Sequence, residues 1–273
     1  MSDSPEGSHP KGPVGPSAGR FDGKVGVVTG GASGIGLATV RRFVAEGAQV
    51  VIGDIDQAGL DAVVEQLGDR VAALRCDVSV ESDVKELVGT AVERFGGLHI
   101  AFANAGVAAL GRLIDVRPHD WMRVIEVNVL GPVLMIKHAA PVMSEGGSIV
   151  ITASLNAVQP AAGMSAYCCS KAAASMLAQV GAMELGSRGI RVNAVGPGLV
   201  RTALTEAAWQ LPGMAEDFLE NQPLSDPITS DDIAATVAFL ASDDARAVTG
   251  TLQLVDGGAR TKRYPDMLSH LGM

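Results

Sequence analysis

The run Val25-Gly26-Val27-Val28-Thr29-Gly30-Gly31-Ala32-Ser33-Gly34-Ile35-Gly36 decides the fold. Its first part is short, apolar and rich in β-branched residues, which reads as a strand buried on both faces. Glycines follow at once, and Leu37 to Glu46 then reads as a helix closed by Gly47. A strand that turns through glycines into a helix sets the helix N-terminus, with its unpaired N–H groups, at the strand's carboxyl end. A pyrophosphate can lie there against bare backbone, held by those N–H groups.

Outward from this unit the chain keeps alternating. Strands are expected at Gln49–Gly53, Val71–Cys76, His99–Ala103, Gly147–Ala153, Arg191–Val195 and Thr251–Val255. Helices are expected at Asp56–Leu67, Val80–Phe95, Trp121–Met143, Ala166–Gly186 and Asp231–Leu240. The long helix Trp121–Met143 contains Gly131-Pro132, where a bend is expected. Strand, helix, strand, helix means an α/β fold: a doubly wound, Rossmann-type parallel sheet of about seven strands with helices on both faces. No composition break starts a second domain, so residues 21–260 read as one dinucleotide-binding catalytic unit. The stretch 203–229 breaks the alternation and reads as a helical flap over the sheet's carboxyl edge. Residues 1–20, rich in Ser, Gly and Pro, read as a flexible tail without the apolar stretch of a signal peptide. Residues 261–273 read as a C-terminal tail.

Composition narrows the function. The 273 residues are 47% hydrophobic and 19% charged, as in a globular protein with a sizeable core. A formal charge of −9 argues against a nucleic-acid partner, which needs a basic face. No apolar run is long enough to span a membrane. The three cysteines, Cys76, Cys168 and Cys169, make no disulfide framework and fit a reducing, cytoplasmic setting. The five histidines never fall at metal-ligand spacing, so no metal is expected.

Strand ends carry the remaining signals. The second strand ends at Asp54-Ile55, where a carboxylate can accept hydrogen bonds from the adenosine ribose and repel a 2′-phosphate. No Arg or Lys follows closely, so NAD is expected rather than NADP. The third ends at Cys76-Asp77-Val78, and Asp77 can meet an adenine amino group. The fourth ends at Asn104-Ala105-Gly106, small enough for a ribose or adenine to lie on the backbone. Farther on, Tyr167 precedes Lys171 by four residues, which puts both on one helix face. A phenol ionises near ~10, and bringing it to about 7 takes roughly 4 kcal/mol of differential stabilisation. A neighbouring ammonium supplies part of that.

Taken together, Thr29–Gly36, Asp77, Asn104–Gly106, Asn128, Ser154, Tyr167 with Lys171, Pro197–Thr202 and Asp256-Gly257-Gly258 resemble the short-chain dehydrogenase/reductase family in its compact, single-domain form. The resemblance covers roughly Lys24 to Ala259. It implies that Tyr167 is the general acid/base and that Ser154 hydrogen-bonds the substrate oxygen. It implies that Lys171 lowers the Tyr167 pKa and holds the nicotinamide ribose, while Asn128 fixes a water linking Lys171 to solvent. Gly30, Ser33, Gly34, Ile35 and Gly36 would then cradle the pyrophosphate. Pro197, Gly198, Val200 and Thr202 would hold the carboxamide. Departures are Ala103, where many members have Asn, the pair Cys168-Cys169, and Arg201, whose side chain is expected to point to solvent.

The activity implied is NAD-dependent hydride transfer between nicotinamide and a secondary alcohol or ketone. Ser154, Leu155, Asn156, Leu199, Leu204 and Trp209 are expected to wall the substrate pocket, with Val107, Ala108, Val158 and Gly198. Those mostly apolar walls favour a neutral, cyclic or steroid-like alcohol. The alternatives are a 3-oxoacyl-thioester reductase and a nucleotide-binding regulatory protein that has lost the chemistry. The family's assembly implies a homotetramer through the two long helices and the last strand. The segment from Arg260 onward is expected to reach toward a neighbour's active site.

Overall fold

The computed structural model describes residues 19–270 and 272, with the side chains of Ser144, Glu145, Ala207 and Met267 left out. The tail expected over 1–20 falls on residues 1–18, outside the described residues. Gly19 and Arg20 belong to the folded chain, with Arg20 Nε 3.3 Å from Glu46.

Seven strands form one sheet: β1 (Val25–Thr29), β2 (Gln49–Asp54), β3 (Val71–Arg75), β4 (Leu98–Ala103), β5 (Met143–Thr152), β6 (Arg191–Pro197) and β7 (Leu252–Val255). Their order is β3-β2-β1-β4-β5-β6-β7, with every pairing parallel. The helices are α1 (Gly34–Ala45), α2 (Gln57–Leu67), α3 (Glu81–Phe95), α4 (Pro118–Ile125), α5 (Gly131–Val142), α6 (Ser165–Leu185), α7 (Glu206–Gln210), α8 (Met214–Glu220), α9 (Ser230–Ala241) and α10 (Met267–His270). No helix among the described residues is long and apolar enough to cross a membrane.

Successive residues of a strand face opposite sides, and here both sides are dry. Val27, Val51, Ala101, Ile149 and Val192 face one core, completed by Leu87 of α3, Met135 of α5 and Ala178 of α6. Val28, Ile52, Phe102, Val150 and Val195 face the other, completed by Phe43 of α1, Leu60 of α2 and Val237 of α9. This explains the unbroken apolar runs: a polar residue at either parity would be buried. Each Val, Ile or Phe so enclosed stabilises the fold by about 1.5–3 kcal/mol.

The order reverses between β1 and β4, where β1 leads outward to β2 on one side and β4 begins the other half. The two following helices pack on opposite faces, which opens a crevice beyond the carboxyl ends of these strands.

The long helix expected over 121–143 is three pieces. α4 and α5 are joined by a π-helical turn, Glu126–Leu130, in which the Gly131 N–H bonds to Glu126 O. Pro132 has no N–H, so the Asn128 carbonyl four residues back lacks its α-helical donor. The flap contains α7 and α8, and the chain after β7 folds back over it.

Candidate active site

The crevice is a cleft of about 340 Å³, within the usual range of small-molecule sites. One end is built by the β1–α1 turn. Gly30 has φ +65°, and a Cβ there would come within 3.0 Å of the Ala105 backbone. Gly36 does not line the cleft; a Cβ on it would sit 1.9 Å from Gly30 O. Its role is to let α1 press against the loop. Ser33 precedes α1 in an extended conformation without capping it through its side chain. The first N–H groups of the helix therefore stay open toward Gly30, Ser33, Gly34 and Ile35, which all line the cleft. This bare backbone at a helix N-terminus suits a pyrophosphate.

Asp54 stands beside it. Its Oδ2 accepts from Ala32 N and its Oδ1 from Asp56 N, both at 3.1 Å. The carboxylate is thus tied to the glycine loop with lone pairs still available. Arg75 lies opposite Asp54 on β3 but is exposed and does not line the cleft. Ile55 and Val78 line the same end.

Asp77 also lines the cleft, yet its carboxylate is heavily engaged. Oδ1 accepts from Ser79 N at 3.0 Å and Ser79 Oγ at 2.6 Å, and Oδ2 accepts from Arg123 Nη2 at 3.0 Å. Burial works to raise its pKa, but the Ser79 and Arg123 bonds hold it below the usual carboxylate value. Arg123 itself lines the cleft. Nothing in the sequence marked it, because its partner is 46 residues away.

Asn104 is a strut between three strands. Its Nδ2 donates to Thr29 O and Gly30 O, and its Oδ1 accepts from Thr152 Oγ1 at 3.1 Å. Thr29 Oγ1 in turn accepts from Asn104 N at 3.0 Å. Asn104, Ala105 and Gly106 form the cleft floor.

The other end gathers Ser154, Tyr167 and Lys171 with Pro197, Gly198 and Val200, while Thr202 lies over the glycine loop, where a Cβ on Gly34 would meet its Cγ2 at 3.2 Å. Ser154 follows β5 and accepts from Asn156 N at 3.1 Å, starting a single 3₁₀ turn, Leu155–Ala157. Tyr167 and Lys171 come from the first turns of α6. Lys171 is 3% exposed, and its Nζ donates to Thr152 O at 2.7 Å. That Nζ lies 5.5 Å from the Tyr167 ring centroid, over the ring. Burial pushes the Lys171 pKa down to about 8. Burial likewise raises the Tyr167 phenol above its ordinary value; a hydrogen bond with Ser154 opposes this, and the Cys168 thiol adds to it. Lys171 Nζ, anchored on Thr152 O, faces the Tyr167 ring.

Asn128 sits behind this end, 1% exposed, and does not line the cleft. Its Oδ1 accepts from Val107 N at 2.9 Å, and its Nδ2 donates to Val107 O at 2.9 Å and Ser170 Oγ at 3.0 Å.

Of the expected substrate walls, Ser154, Leu204, Val107 and Gly198 line the cleft. Leu155 and Asn156 are buried beneath Ser154, while Val158 and Ala108 are exposed. Leu199 packs under the flap. Trp209 does not line the cleft, and its indole N–H is buried with no partner among the described residues. Arg201 points outward and pairs with Glu206 at 3.0 Å. Thr152, which anchors Lys171 and Asn104 together, escaped the sequence reading. Its position two residues before Ser154 was the available signal.

The comparisons agree with this geometry. A family model described as enoyl-(acyl carrier protein) reductase matches residues 30–260. Momilactone A synthase of Oryza sativa subsp. japonica is 44% identical over 257 residues, covering 90% of this chain and 93% of that protein. A 3-alpha-(or 20-beta)-hydroxysteroid dehydrogenase of Mycobacterium tuberculosis is 37% identical, covering 88% and 91%. The solved structure of a short-chain type dehydrogenase/reductase from Mycobacterium ulcerans superposes with a TM-score of 0.88 at 32% identity, covering 92% and 94%. A doubly wound seven-stranded sheet, a glycine loop at the β1–α1 turn and a Ser–Tyr–Lys group across the cleft thus accompany similarity over nearly the whole chain: the protein belongs to the short-chain dehydrogenase/reductase family of oxidoreductases.

Proposed function

We propose that the protein is an NAD-dependent dehydrogenase/reductase acting on a secondary alcohol and its ketone. The observation that carries this reading is the convergence of Ser154, Tyr167 and Lys171 at one end of a cleft whose other end is a glycine cradle beside Asp54. NAD supplies the hydride acceptor when bound. Gly30, Ser33, Gly34, Ile35 and the N-terminus of α1 take its pyrophosphate. Asp54 takes the adenosine ribose, and Pro197, Gly198, Val200 and Thr202 take the carboxamide.

The chain's own part is positional and electrostatic. Ser154 Oγ donates to the substrate oxygen, where charge grows during the reaction. Tyr167 Oη receives the hydroxyl proton on oxidation and returns it on reduction. Burial raises that phenol, so a positive neighbour must favour the phenolate, and the Lys171 ammonium is held in place for this by Thr152 O. Asn128 keeps the π-turn and Val107 in place beside Lys171, where a water can pass protons on.

Two relatives whose names point to ring compounds, the momilactone and hydroxysteroid enzymes, support a neutral cyclic alcohol as the substrate class. A thioester reductase is the second reading, favoured by the description of the matched family model. NADH formation across a panel of secondary alcohols, set beside NADPH consumption with a 3-oxoacyl thioester, separates the two. In the same assay Tyr167→Phe should lose about 100-fold or more in kcat. It should keep NADH binding, read by fluorescence. Near-wild-type turnover by that variant would sink the mechanism.

A further inference from the structure

Ala203, Leu204 and Thr205 of the flap line the cleft. A separate apolar cluster joins the flap to the residue after Tyr167: Ala161, Met214 and Phe218 are buried, packed with Leu199, Cys168 and Tyr264. None of these six lines the cleft. Tyr264 comes from the C-terminal segment. Its ring meets Phe218 edge-on, with centroids 5.2 Å apart at 85°. Its hydroxyl donates to Asn156 Oδ1 at 3.2 Å, and the Asn156 N–H bonds to Ser154 Oγ. An ionised Tyr167 is near enough to oppose ionisation of Tyr264. Tyr264 is thus tied through Asn156 to Ser154, just outside the cleft lining.

The segment is fastened just before Tyr264, and again after it at His270, whose Nε2 lies 3.3 Å from Asp217. Arg263 Nη2 lies 2.8 Å from Asp217 on α8. Lys262 Nζ donates to Glu220 O at 2.9 Å, and Lys262 O accepts from Gln159 at 2.7 Å. All of these ties are to the same chain, and they lay the segment over its own flap.

We propose that Tyr264 is a specificity-determining residue: carried by the C-terminal segment of its own chain, it closes the far end of the substrate chamber and sets the largest alcohol the site admits. This rests on the alcohol-oxidising reading above. A multi-ring alcohol placed with its oxygen at Ser154 and Tyr167 meets the cluster that Tyr264 forms beside Asn156 and Cys168. It enters only as far as the Tyr264 ring and the flap yield. A small ring is accepted without that movement. Removing the ring opens space continuous with the cleft, whereas removing the hydroxyl alone leaves the wall standing.

Two readouts test this, one of them free of turnover. Cys168 shares the cluster and is half-buried, while Cys76 is buried. In a Cys169→Ser background, maleimide labelling followed by mass spectrometry therefore reports closure at Cys168. Tyr264→Ala should label Cys168 roughly tenfold faster than the parent, and Tyr264→Phe should stay within about twofold of it. Tyr264→Leu, which keeps an apolar side chain, serves if the alanine variant does not fold and should also label faster. Unchanged labelling in the alanine and leucine variants overturns the proposal. Equal acceleration in Tyr264→Phe overturns the steric assignment as well, since it would put closure in the hydroxyl.

The second readout is the ratio of kcat/KM for a hydroxysteroid to that for cyclohexanol. It should rise by about tenfold or more in Tyr264→Ala and return toward the parent value in Tyr264→Phe. An unchanged ratio overturns the proposal. Absence of turnover in the parent with every alcohol would instead strike the function assigned above, and the labelling result would still decide Tyr264.

Discussion

Lys171 brings an ammonium to a place where almost no water reaches it, bonded to Thr152 O and facing the Tyr167 ring. Its pKa falls from 10.5 to about 8 as a result. Below about 8 the folded and unfolded chains are both charged here, and the burial penalty is fully felt. Between about 8 and 10.5 the unfolded chain still binds the proton that the folded chain has released. Stability contributed by this site therefore rises with pH across that window. Lys171→Met removes the buried charge, so its advantage in Tm over the wild type should be greatest near pH 7 and shrink toward pH 10. At about 1.4 kcal/mol per unit the swing is on the order of 3 kcal/mol. A constant gap in melting curves across that range would contradict it. The helix spacing made the Tyr167–Lys171 face legible in the sequence; the direction of the Nζ was not, because Thr152 arrives from another strand. Asp54 is a simpler case. Its place at the end of β2 was readable, and the wild type should show higher kcat/KM with NAD than with NADP. Asp54→Ala should cut that ratio by about tenfold, and steady-state kinetics with the two cofactors measures it.

At the scale of elements, the segment from α4 to α5 shows what a sequence pattern carries and what it omits. Gly131-Pro132 announced a bend. It did not announce a π-turn with Asn128 turned inward to bind Val107 and Ser170. That outcome depends on the missing Pro132 N–H and on a loop from β4 arriving alongside. Asn128→Ala would strand the Val107 N–H and C=O and the Ser170 hydroxyl, costing about 2–4 kcal/mol of stability. Urea unfolding should show it as a lower midpoint with an unchanged slope. Strand positions were legible because each strand is apolar at both parities. Strand ends were less so: β5 begins at Met143, where pairing with Leu98 precedes a register shift. Inside the flap, α7 and α8 are too short for a periodic pattern and take their place from Phe218 and Met214 packing against Ala161 and Tyr264.

For the whole molecule, the sheet order follows from the alternation of elements and the right-handed crossover. The destination of the last residues does not, since it depends on what the flap leaves uncovered. One further surface bears on assembly. Met176, Val180 and Met183 of α6 are 56%, 41% and 85% exposed, and their spacing places them on one face. Met122 of α4, with Leu130 and Val133, is also exposed nearby in sequence on the other long helical segment. These are the helices through which the homotetramer proposed from the family would form. Light scattering should give the mass of four chains, and Met183→Glu, which sets a charge on the contact, should lower it. A monomer from the wild type would remove the proposal.

The indole N–H of Trp209, buried and unmatched among the described residues, gives the flap a thermodynamic bias. A buried donor without an acceptor costs about 1–3 kcal/mol relative to one that meets water. Any excursion that brings α7 to the surface relieves that cost. The packing of the flap is thus offset in part by this unmatched donor, and Trp209→Phe, which removes it, should raise Tm.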